Sequence, residues 1–153
     1  MIIRYTVNDR NSFLSVPWYV TTLTVTSNSC NDNNIGVVDL SSFKFLRSVV
    51  IGNGCFQHVQ VFSIVGLNWL ESVIIGSSSF NADSLLVGSQ FVIVNCPLLK
   101  SLSISGGSSF FAYDEFELSQ LLQLKSVTIG SSNCFKYAGK VVFRGMNDGR
   151  DGL

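Results

Sequence analysis

Apolar and polar positions along the chain fall into a recurring unit. Four segments, 46–52, 70–76, 99–105 and 124–130, share the pattern Leu-x-Ser-[Val/Leu]-x-Ile-[Gly/Ser]. A phenylalanine follows each Ile after a short run of small polar residues, at Phe56, Phe80, Phe110 and Phe135. Upstream of each leading leucine stand three more apolar positions: Val38, Leu40 and Phe43; Phe62, Ile64 and Leu67; Phe91, Ile93 and Cys96; Phe116, Leu118 and Leu121. The leading leucines Leu46, Leu70, Leu99 and Leu124 lie 24, 29 and 25 residues apart, and a diverged unit starts at Val20. Ile2, Tyr5, Val7 and Phe13 keep the same offsets in a shorter first remnant.

Each unit predicts two strands. In Leu-x-Ser-Val-x-Ile, the Val and Ile two residues apart share one face of an extended chain, and the upstream Phe-x-Ile piece has the same period. Ser, Asn and Gly between them form turns. The Gly that follows Ile is expected to close the strand with a positive φ. The best helical window, 115–124, occupies columns that are strand-like in the other units. One unit cannot bury its apolar face alone. Copies stacked about 4.8 Å apart can, and five of them make a rod of roughly 24 Å. Val49, Val73, Leu102 and Val127 then belong to one inward column. The longer third unit places its extra residues, within 81–89, in a loop.

The columns L-x-x-[LV]-x-I, preceded by F-x-I-x-x-[LC]-x-x-L, resemble the leucine-rich repeat family in its irregular protist and bacterial form. The resemblance covers residues 20–146 and extends more weakly to residue 2. It departs at the turn, where Gly54, Ser78 and Ser132 stand near the column of the usual capping asparagine. The resemblance implies a mainly β, right-handed solenoid of stacked parallel strands with about five coils. Residues 1–19 are then a diverged or partial repeat, 20–146 the solenoid and 147–153 a polar tail. A role as a protein-interaction scaffold is likewise what the resemblance implies.

Composition narrows the function. Ten basic residues balance ten acidic ones, charged residues are 13% of the chain and hydrophobic ones 46%. This is too apolar for disorder and lacks the basic stripe of a nucleic-acid binder. Zero net charge also favours self-association, here expected end to end. No apolar run of about 20 residues predicts a membrane-spanning helix, and the first ten residues are too polar for a signal-peptide core.

Candidate chemistry is sparse. His58, the single histidine, has no Cys or carboxylate in matching columns and reads as an exposed turn residue. Cys55 and Cys134 share a column with Ser79 and Ser109, which marks a site for small residues. Cys96 replaces a leucine as a core thiol. Cys30 lies in a turn, where a disulfide to Cys55 one coil away is left open. Without a C-x-x-C pair or clustered ligands, no metal or cofactor is expected. Ser48, Ser72, Ser101 and Ser126, with Thr22, suggest a hydroxyl ladder bonded to backbone. Asp114, Glu115 and Glu117 fall in one unit and Glu71 in another column, unlike the converging acids of a glycosidase. Gly52-Asn53-Gly54 and Gly106-Gly107 lead into no helix and read as turns.

Recognition is therefore expected on the outward columns of the first strand. One column holds Thr21, Arg47, Glu71, Lys100 and Lys125; the other holds Thr24, Val50, Ile74, Ser103 and Thr128, with Val50 and Ile74 as an apolar centre. The reading is a non-catalytic protein-interaction or surface scaffold with a protein partner. A purely structural or self-assembling repeat is the alternative, and a carbohydrate-active β-helix enzyme stands third.

Overall fold

The computed structural model describes residues 1–81, 88–131 and 133–146. Its elements in chain order are β1 (Arg4–Val7), α1 (Arg10–Leu14), β2 (Thr22–Val25), β3 (Val37–Asp39), β4 (Ser48–Ile51), β5 (Val61–Val65), β6 (Ser72–Ile75), β7 (Gln90–Val94), β8 (Ser101–Ile104), β9 (Glu115–Ser119), β10 (Ser126–Ile129) and β11 (Lys140–Arg144). From β2 onward strands alternate between two sheets, ordered β1-β2-β4-β6-β8-β10 and β11-β9-β7-β5-β3. All pairings are parallel, and the chain winds as a β-solenoid of about 5 turns.

Register follows the repeat. Leu23, Val49, Val73, Leu102 and Val127 pair in sequence along the first sheet. Val38, Phe62, Phe91, Phe116 and Val141 do so along the second. The period-2 alternation therefore puts one member of every pair in the core between the sheets, and a one-residue slip would expose the whole column. Tyr5 and Val7 pair with Leu23 and Val25, so the short remnant is the first strand of the longer sheet.

Two phenylalanine ladders fill the core. Phe56, Phe80, Phe110 and Phe135 stack at 5.3, 4.6 and 5.0 Å between ring centroids. Phe62, Phe91 and Phe116 stack at 5.0 and 5.1 Å. The ladders meet edge to face, as in Phe91–Phe110 at 5.0 Å and 82°, a geometry the ring quadrupoles favour. Where the first ladder would pass through residue 30, a cysteine stands, and Phe13 of α1 meets Phe56 at 5.4 Å. This helix lies where a turn was expected. Asp9 caps it, accepting from the Ser12 N–H at 2.7 Å while Ser12 Oγ accepts from the Asp9 N–H at 3.1 Å.

The glycine after each strand serves a different purpose from the one expected. Gly52, Gly76 and Gly130 are absent from the residues with positive φ. A Cβ on Gly76 would instead come within 2.6 Å of the Gly52 carbonyl carbon in the preceding coil. The left-handed conformation falls on the phenylalanines, with φ of 55° at Phe56 and Phe80, 57° at Phe110 and 53° at Phe135. Bulky residues rarely adopt it; Cys30, in the same column without a ring, shares it at 62°, so it belongs to the turn, where the Phe56, Phe80 and Phe110 N–H groups bond carbonyls of the preceding coil.

The last coil departs from the buried pattern. Val127 is 44% exposed and Phe143 59%, against 0% for Val73. The inward assignment of Val127 is right in register, but no further strand pairs with β10 or β11 among the described residues. Residues 147–153, read as a polar tail, and most of the insertion within 81–89 lie outside the described residues.

Candidate functional site

The residue immediately before each leading apolar position forms its own column at one corner of the solenoid: Tyr19, Phe45 and Trp69 precede Val20, Leu46 and Leu70. The leading residues are fully buried, so the backbone is anchored there while the neighbouring aromatics stand out. Bonds from Arg47 N–H to the Thr21 carbonyl, 2.7 Å, and from Glu71 N–H to the Arg47 carbonyl, 2.8 Å, lock the coils in register. Trp18 is 67% exposed, and Tyr19, Phe45 and Trp69 are each close to half exposed. Trp18 contacts Tyr19 at 5.2 Å and Phe45 at 5.9 Å. The Arg47 guanidinium lies 5.7 Å from the centre of the Trp69 ring. Together with Ile3 and Thr21, these side chains line an open cleft of about 480 Å³.

Of the expected recognition residues, Arg47 alone combines with this aromatic cluster at the surface. Thr21 is 7% exposed and is spent inside the fold: its hydroxyl accepts from the Ile3 N–H at 2.8 Å and donates to the Ile3 carbonyl at 3.1 Å. Glu71 pairs with Lys100 at 3.5 Å. On the adjoining sheet face Ile74 is exposed, Thr24, Val50 and Ser103 are half-buried, and Lys125 and Thr128 stand exposed on the last coil. Trp18, Tyr19, Phe45 and Trp69 escaped the sequence reading. Their signal was an aromatic residue directly before three successive leading positions, which then gives way to Leu98 and Gln123.

The remaining candidates resolve as structure. His58 is exposed. All four cysteines are free and buried, including Cys30 and Cys55. Burial, reinforced by the nearby Cys55, Asp32 and Asp9, pushes the Cys30 thiol up to about 12. Burial likewise raises the thiols of Cys55, Cys96 and Cys134, the opposite of what a nucleophile or metal ligand needs. Among the described residues no group of three His, Cys, Asp or Glu could hold a metal ion.

The hydroxyl ladder lies in a different column from the expected one. Ser72 Oγ donates to Ser48 Oγ at 3.4 Å, hydroxyl to hydroxyl. Backbone bonding belongs instead to the turn column of Cys and Ser. Ser79 Oγ donates to the Gly52 carbonyl at 2.7 Å and accepts from the Cys55 N–H at 3.1 Å. Ser109 Oγ repeats this with the Gly76 carbonyl and the Ser79 N–H. The acids are engaged as well: Glu117 accepts from the Ser119 hydroxyl at 2.7 Å, and Asp114 accepts from the Gly88 N–H at 3.3 Å. No helix among the described residues is long and apolar enough to cross a membrane. Compared with protein-family models, curated proteins and solved structures, the chain matches none.

Proposed function

We propose that this solenoid is a non-catalytic, leucine-rich-repeat-like scaffold that docks protein through the aromatic corner. The observation that carries this reading is the exposed cluster of Trp18, Tyr19, Phe45 and Trp69 beside Arg47. Exposed aromatic residues with an arginine are the composition of interface centres, where Trp, Tyr and Arg dominate binding energy. The backbone beneath is tied coil to coil by hydrogen bonds, so little backbone ordering opposes association. A displayed peptide library selected on the protein, with the Trp18→Ala/Trp69→Ala double variant as counter-selection, tests the reading. Recovery of peptides that require the aromatic corner is expected; a library yielding none would overturn it.

Self-assembly by end-to-end stacking is a second reading, favoured by the exposed Val127, Ile129, Val141 and Phe143 on the outermost strands β10 and β11. An uncovered parallel edge with apolar side chains invites another coil. Light scattering across a concentration series decides it. Mass growing with concentration, abolished by Val141→Lys/Phe143→Lys, supports stacking, and a constant monomer mass ends it.

A further inference from the structure

We infer that the aromatic corner takes an extended proline-rich segment in the polyproline II conformation, with an acidic residue set against Arg47. The inference rests on the protein-docking reading above and names the partner class.

The first argument is spacing. Tyr19 and Trp69 occupy the same column two coils apart, with Phe45 between them, and coils in register repeat at about 4.8 Å, or roughly 9.6 Å for two. A polyproline II helix completes one turn in three residues, roughly 9.3 Å. A proline-rich segment lying along the solenoid axis therefore presents the same face again at each second coil, and residues three apart meet equivalent aromatic rings.

The second argument is hydrogen bonding. Polyproline II has no internal backbone bonds, so its carbonyls need donors. Trp18 Nε1, Trp69 Nε1 and Tyr19 Oη carry no hydrogen bond within the described residues, which leaves three donors on the cleft. By contrast, the backbone N–H groups of Arg47 and Glu71 are already spent between coils. These two donors are therefore closed to an added β-strand, the other common mode for an extended peptide.

The third argument is charge. Arg47 forms no ion pair among the described residues, because Glu71 is engaged by Lys100. A guanidinium against Trp69, at the rim of an otherwise apolar cleft, is complementary to a carboxylate in a ligand whose apolar face covers the rings.

The test uses fluorescence anisotropy on the full chain with three labelled probes: decaproline, decaproline ending in two glutamates, and a Gly/Ser peptide of equal length. Saturable binding of both proline probes is expected, tighter for the acidic one, with none for Gly/Ser. Trp69→Ala should weaken both proline probes by at least about tenfold. Arg47→Gln should remove the preference for the acidic probe, read as the ratio of the two proline affinities falling to about one; a ratio kept at the parent value overturns the acidic contact. These are exposed residues, and circular dichroism of each variant verifies the fold. Equal binding of the Gly/Ser peptide, or no binding of decaproline, overturns the inference. If the library still recovers corner-dependent peptides without proline, protein docking stands while the proline assignment falls. Saccharide oligomers that bind and lose affinity in Trp69→Ala, with no peptide bound, overturn both.

Discussion

The phenolic hydroxyl of Tyr113 donates to the backbone carbonyl of Val59 at 2.6 Å, joining positions 54 residues apart. Each residue stands third after a turn phenylalanine, Phe110 and Phe56, and the unit of Phe80 lies between them. The phenol therefore reaches past a whole coil. Tyr113 is fully buried, and burial holds its phenol protonated far above the usual range. Tyr113→Phe keeps the ring against Phe110 but leaves a buried carbonyl without its donor. A loss of about 1–3 kcal/mol is expected, read as a lower urea midpoint. An unchanged midpoint would show that the bond contributes nothing.

The turn ladder makes a second prediction. Ser109 bonds both the Ser79 N–H and the Gly76 carbonyl and is wholly buried. Ser109→Ala strands both and should cost about 1–3 kcal/mol. Ser109→Cys should cost clearly less, because Cys55 in the same column donates its thiol to the Thr26 carbonyl at 3.1 Å. Thermal unfolding of the two variants side by side checks the order; equal losses would mean that side-chain volume, not hydrogen bonding, governs the column.

The core columns were legible in the sequence because a buried face enforces a strict period. Leu23, Val49, Val73 and Leu102, like Phe62 and Phe91, could be assigned without knowing where the strands pair. Tyr5 and Val7 of the short remnant were legible for the same reason, whereas Ile2, its leading position, is 63% exposed. The left-handed φ of the phenylalanines was not: no chemistry of Phe asks for it, and Cys30 adopts it in the same column, so it comes from the turn that each coil repeats. Nor was the aromatic corner, since comparing units selects the residue they all share. Tyr19, Phe45 and Trp69 are three different residues, in a column that later turns to Leu98 and Gln123. Thr21 misled for a local reason, because the N-terminal strand arrives to bond its hydroxyl.

Position along the stack sets the cost of a buried charge. Val73 is fully buried in the middle of the inward column, whereas Val127, in register with it, is 44% exposed. Val73→Asp places an unpaired carboxylate among apolar neighbours and should cost several kcal/mol, enough to unfold the neighbouring coils. Val127→Asp keeps access to water and should cost about 1 kcal/mol. Urea unfolding by circular dichroism compares them. Equal, severe losses would show that the last coil is covered in solution.

Alkaline pH should destabilise the protein through its buried thiols. Cys30, whose Sγ donates to the Asp9 carbonyl at 3.4 Å, has its thiol raised from an ordinary 9.0 to about 12 by burial and by neighbouring negative charge. Cys55, Cys96 and Cys134 are shifted in the same direction. Below about pH 8 the thiols are protonated in both states and contribute no pH dependence. Between 9 and 12 the unfolded chain releases protons that the folded chain retains, so stability falls as pH rises through this window. The urea midpoint should therefore hold level up to about pH 8 and decline most steeply between 9 and 12. Cys30→Ala should flatten part of the decline, and the remaining slope belongs to the other three thiols and to Tyr113, whose phenol is raised as well. Parallel pH profiles for parent and variant between 9 and 12 would show that Cys30 ionises as freely in the fold as in the unfolded chain, and that Sγ is open to water.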